Sequence, residues 1–142
     1  MKTIQKILVC GILLGLIATS CAVLNPAGTN ELNGTNWKLL YIRKSAPIAS
    51  RPITISFEDG QVHGSSGCNS YFGEYKINGN EISFGPLAAT EMACMDPDGI
   101  MQQEQEYLTF LSDVVTYAIE GNQLILKKEV QDQLTFQKSI NE

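Results

Sequence analysis

The sequence predicts an α+β domain, a strongly twisted antiparallel sheet wrapped round one helix. Three observations predict it. Short alternating apolar runs recur along the chain with turn residues between them. One stretch alone carries a convincing helical period. That stretch falls between two groups of strands, rather than alternating with them as a parallel sheet requires. The length, 142 residues, favours a single domain.

Residues 31–35 lead into a strand over 37–42, whose alternation points Trp37, Leu39 and Tyr41 to one face and Lys38 and Leu40 to the other. Residues 43–51 read as a polar link through Pro47, ending at Pro52. The next run alternates with Ile53, Ile55 and Phe57 on one face, and Glu58-Asp59-Gly60 turns it into a return strand over 61–64. Strands over 71–77 and 81–84 join at Asn78-Gly79-Asn80, a hairpin signal because primed turns need positive φ. The helix spans about residues 100–113, with Met101, Tyr107, Leu108 and Leu111 on its apolar stripe and Glu104 close to it. Gln102, Gln103, Glu106 and Thr109 fall on its wet side, and Asp96 or Asp98 is expected to cap its first amides. Strands over 116–120 and 123–127 flank Gly121-Asn122, and a last strand covers 134–137.

Ahead of the domain stands an address. Lys2 and Lys6 precede a mostly apolar run over 7–18, which matches a secretory signal and is shorter than the roughly 20 residues of a bilayer span. Ala18-Thr19-Ser20 then leads into Cys21, in a pattern that resembles the lipobox of bacterial lipoproteins. The expected organisation is a signal peptide over 1–20, a tether over 21–30 carrying acyl chains on Cys21, and a domain over 31–137. Ala22 is not the aspartate that retains enteric lipoproteins at the inner membrane, so an outer-membrane site facing the periplasm is expected. Losing Lys2 and Lys6 leaves 8 basic against 15 acidic groups, a net charge of −7. That acidity excludes the basic stripe of a nucleic-acid binder, and it leaves membrane attachment to the lipid.

Of four cysteines, Cys10 leaves with the signal and Cys21 is the lipid site. Cys68 and Cys94 remain in an oxidising compartment, and a disulfide is the simplest fate of such a pair. It would close a loop of about 26 residues, worth roughly 3.5 kcal/mol. A reactive or metal-binding pair is disfavoured, since neither thiol has a CxxC partner, a neighbouring histidine or a basic cluster.

Other constellations fall short of chemical sites. Gly64-Ser65-Ser66-Gly67 lacks the lysine and the strand–loop–helix setting of a phosphate loop, so Gly64 and Gly67 are expected to permit tight turning beside the disulfide. Asn69 would satisfy backbone groups in that turn. His63 with Ser65 or Ser66 offers no nucleophile elbow. Asp96-Pro97-Asp98-Gly99 lacks the later ligands of a calcium loop, and Glu104 with Glu106 makes a poor acid–base pair. The expectation is no enzyme, no metal and no cofactor. Tyr71, Phe72, Tyr75 and Tyr107 are the candidates to line an apolar groove.

Several segments carry a family resemblance. Leu32-Asn33-Gly34-Thr35-Asn36-Trp37-Lys38-Leu39 resembles the opening L-x-G-T-x-W-x-L of the META/HslJ family of bacterial envelope proteins. The run from Gly64, Gly67, Cys68 and Asn69 to Tyr71, Gly73 and Tyr75 is similar to its central G-x-x-G-C-N-x-Y-x-G-x-Y. Thr90-Glu91-Met92-Ala93-Cys94 resembles the following T-x-M-A-C, and Gln123-Leu124-Ile125-Leu126 the late strand. The resemblance implies a half-open barrel packed on one helix. It also implies an envelope role, since members are often lipid-anchored and some are heat-inducible or linked to novobiocin resistance. The expected function is a monomeric binding or assembly module in envelope stress or drug tolerance, with an unidentified envelope protein as partner. The alternatives are a carrier of an apolar ligand and an inhibitor of an envelope hydrolase acting through residues 43–51.

Overall fold

The computed structural model describes residues 30–128 and 131–139. The expected signal segment, Cys21 and the expected tether up to residue 29 lie outside the described residues. In chain order the elements are β1 (Thr35–Ile42), β2 (Thr54–Glu58), β3 (Gln61–Ser65), β4 (Ser70–Asn78), β5 (Glu81–Phe84), β6 (Ala88–Ala89), α1 (Ile100–Ser112), β7 (Thr116–Glu120), β8 (Gln123–Lys127) and β9 (Gln133–Lys138).

The strands form one antiparallel sheet in the order β3-β2-β1-β9-β8-β7-β5-β4-β6. β3 also pairs with β4, so the sheet curves until it meets itself and becomes ring-like. Its thinnest seam is β5 against β7, registered at Glu81 and Thr116. Inward side chains of β1, β2, β4, β8 and β9 meet Tyr107, Phe110 and Leu111 of α1 in one apolar core. The expected α+β class and curved sheet are therefore observed.

Turn chemistry sets the hairpins. Asp59 and Gly60 both have positive φ, 47° and 82°, as a primed two-residue turn between β2 and β3 requires. Between β4 and β5, Asn78 is still paired with Glu81, so Gly79 takes the first loop position with φ 62°.

Three local expectations fail. The register of β1 against β9 shifts between Leu39 and Tyr41, which makes Leu40 the extra residue of a β-bulge. Every side chain after the bulge changes face, so Tyr41 is 46% exposed and Ile42 is buried instead. At the helix start neither Asp96 nor Asp98 caps; Gly99 is the N-cap residue in left-handed conformation, with no side-chain cap bond. Pro97 O accepts from Ile100 N–H and Gly99 O from Gln103 N–H.

The helix stripe is also shifted. Its buried positions are Ile100, Glu104, Tyr107, Phe110 and Leu111, while Met101 and Leu108 are half-buried. Gln103 is not on a wet face: it is half-buried, and its Oε1 accepts from Ile48 N–H at 2.6 Å. That bond ties the 43–51 link to the helix.

Candidate functional site

The densest polar chemistry lies where the β3–β4 connection, residues 66–69, meets α1. Ser66 N–H donates to Asn69 O at 2.8 Å and closes the connection. Gly67 has φ 112°, where a side chain is strained, and a Cβ there would stand 3.0 Å from Ile100 Cδ1. Gly64 serves a different end from the expected turn. It lies within β3, and a Cβ there would sit 2.0 Å from Thr54 O, so the residue allows close approach of backbones.

Glu104 enters this connection from the helix and is 7% exposed. Its Oε2 accepts from Ser66 Oγ at 2.6 Å and from Asn69 N–H at 2.8 Å, and its Oε1 from Asn69 Nδ2 at 2.7 Å. Burial alone would raise its pKa. Hydrogen bonds from Ser66, the Asn69 side chain and the backbone amides of Asn69 and Cys68 outweigh burial and hold the carboxyl below its ordinary value. A carboxylate so saturated with donors is a structural anion rather than a base open to substrate.

The Asn69 amide is fully used. Its Nδ2 donates to Glu104 Oε1 and, at 3.1 Å, to Met92 O. Its Oδ1 accepts from Thr90 Oγ1 and from Met92 N–H, both at 2.7 Å. One side chain therefore joins the 66–69 connection, the helix and the segment after β6. The Cys68–Cys94 disulfide adds a covalent tie between the same segments, in agreement with the cysteine count. Asn69 is tied into more than its own turn: it is the hub of a staple.

Beneath the staple two tyrosines share their protons in a fixed direction. Tyr71 Oη donates to Thr54 O at 3.0 Å, so the 2.6 Å contact between the two hydroxyls is donated by Tyr107. Burial raises both phenols above their ordinary value. These residues do not form the expected groove. Tyr71, Tyr75 and Tyr107 are at most 4% exposed in the core, whereas Phe72 alternates to the outer face and is 62% exposed. Gly73 faces inward between them, against Leu87.

The opening motif is likewise structural. The Thr35 hydroxyl accepts from Trp37 Nε1 at 2.7 Å and donates to Leu32 O, while Gly34 takes φ 72°. The indole and Leu32 are thereby buried with their polar partner satisfied. His63 is exposed on β3 opposite Phe72, while Ser66 is fully buried on Glu104. Ala93 is exposed, as is Met92 despite its bound backbone. A separate open groove of about 520 Å³ runs over the outer helix face past Met101 and Phe110. Arg43, stacked on Phe110 and paired with Glu106 and Asp132, stands beside it.

As half of a poor acid–base pair with Glu106, Glu104 has no evident role in the sequence. The signal that finds it is its spacing: Ile100, Glu104, Tyr107 and Leu111 form one i, i+4, i+7, i+11 stripe, and a carboxylate inside such a stripe needs buried donors.

Comparison with known proteins agrees with this fold. The META domain profile matches residues 30–140. A solved protein from Burkholderia xenovorans, determined by NMR, is similar at 32% identity and a TM-score of 0.65, over 78% of this chain and 85% of that one. A second NMR structure is similar at 25% identity and a TM-score of 0.61, over 75% and 90%. A search of curated proteins finds no match.

Proposed function

This chain belongs to the META domain family, and from that premise we propose that it is an envelope lipoprotein acting as a binding or assembly module in stress or drug tolerance, without catalysis of its own. Acyl chains on Cys21 would hold it at the outer membrane, facing the periplasm. The observation that carries the module reading is the Asn69 hub. The side chains with the most chemical potential, Ser66, Asn69 and Glu104, are committed to fixing segment 90–94 at the surface. Such a use suits presentation of a surface better than turnover of a substrate. The pair Cys68–Cys94 suits an exported protein. The carrier reading loses its support, because three of the four aromatics assigned to a groove are core residues.

The experiment compares the full chain with Cys21→Ser in a strain lacking the protein. The wild type is expected in the membrane fraction and to restore novobiocin or heat tolerance. Cys21→Ser is expected in the soluble periplasmic fraction and to restore neither. Full rescue by the soluble variant would remove anchoring from the function, and an unchanged membrane fraction would remove Cys21 as the anchor.

A further inference from the structure

We propose that residues 88–95 form a docking edge for an extended polypeptide strand of mixed basic and apolar composition, added alongside β6. This rests on the binding-module reading above and specifies its partner. β6 ends the strand order of the sheet. On one side Ala88 and Ala89 pair with Phe72 and Tyr71 of β4, and Thr90 N–H donates to Ser70 O. Antiparallel partners alternate between bonded and non-bonded pairs, so the bonded Thr90–Ser70 pair puts Ala89 at a non-bonded position. Its N–H and C=O therefore point away from β4. Residues 88–91 are exposed, so this edge is open to a partner strand.

The edge is held ready. Met92 N–H and C=O are both bound by the Asn69 amide, and Cys94 is bonded to Cys68. Docking then costs little ordering on this side. Phe72, Met92 and Met95, respectively 62%, 56% and 87% exposed, offer apolar contacts to the incoming side chains. Charge selects the occupant. Residues 70–99 carry five carboxylates (Glu74, Glu81, Glu91, Asp96 and Asp98) against Lys76, and Arg51 adds a second cation where it donates to Asp96 O at 3.4 Å, so acid still outweighs base. A cationic strand is attracted, and the same edge of a second copy is repelled. Main-chain pairing would supply affinity, and the flanking side chains specificity.

The test is fluorescence anisotropy of two labelled synthetic peptides on the purified full chain in mild detergent, one alternating lysine with valine and one glutamate with valine. The lysine peptide is expected to bind saturably, to weaken with added salt, and to bind at least about tenfold tighter than the glutamate peptide. Ala89→Pro removes an N–H that faces away from β4, so the thermal transition is expected to stay and binding to fall about tenfold. Phe72→Ser, on the exposed face, supplies a second loss of binding without touching the backbone.

Equal binding of both peptides, or full binding by Ala89→Pro and Phe72→Ser, would overturn the proposal. So would self-association in sedimentation that Ala89→Pro abolishes, since a second copy would then own the edge. The anchoring reading fails separately, through rescue by Cys21→Ser.

Discussion

The wall formed by β1, β9 and β8 and the corner where residues 66–69 and α1 hold segment 90–94 both bury side chains, yet they are held in opposite ways. In the wall, Trp37, Leu39, Leu124, Leu126, Leu134 and Phe136 are at most 2% exposed. Burial of each such side chain stabilises by about 1.5–3 kcal/mol, through non-directional contact. In the corner the buried polar residues are Ser66, Asn69 and Glu104, and their side chains are hydrogen-bonded to one another and to Met92, although Gln103 Nε2 beside Gly67 is buried without a partner. The wall therefore senses volume, and the corner senses single donors and acceptors.

The largest expected loss is in the wall. Trp37→Ala should cost about 3–5 kcal/mol in denaturant unfolding, while the volume-conserving Leu126→Met should cost less than about 1.5 kcal/mol. Next comes the covalent tie of the corner. The double variant Cys68→Ser with Cys94→Ser should lose about 3.5 kcal/mol, and reductant should reproduce the loss in the wild type.

Glu104→Gln keeps the volume but places an amide where a carboxylate oxygen receives two donors, and about 2–3 kcal/mol is expected. Its pH signature separates it from the wall. The folded-state pKa of Glu104 is lowered, so the unfolded state takes up the proton first. The Glu104 contribution is thus fully present above the unfolded carboxylate pKa and is lost as pH falls through the folded one. Wild type should lose stability in that acid window, and the difference from Glu104→Gln should shrink there. The smallest effect belongs to Tyr107→Phe, which removes a hydroxyl proton donated to Tyr71 and should cost about 1 kcal/mol.

Most strands were legible because alternation and turn residues are local: β7 and β8 lie where Thr116–Glu120 and Gln123–Lys127 predict them. The disulfide was legible from the cysteine count together with the secretory pattern of residues 1–20. The face of Tyr41 was not, because the bulge at Leu40 is set by pairing with β9, about a hundred residues away. β6 escaped notice because two alanines carry no pattern, and its strand conformation comes from pairing with β4. The role of Asn69 was half legible. A turn was evident, but Glu104 lies 35 residues on and Met92 lies 23 on. Phe72 was readable and misassigned: alternation with Tyr71 and Tyr75 already put it on the other face.

The Asn69 side chain and the Cys68–Cys94 bond staple segment 90–94 to the folded corner. Amide hydrogen exchange of the Met92 N–H tests this most directly, because that proton is bound to the Asn69 side chain. In Asn69→Ala, Met92 is expected to lose its protection while amides of β8 and β9 keep theirs. Unchanged protection at Met92 in that variant would contradict it.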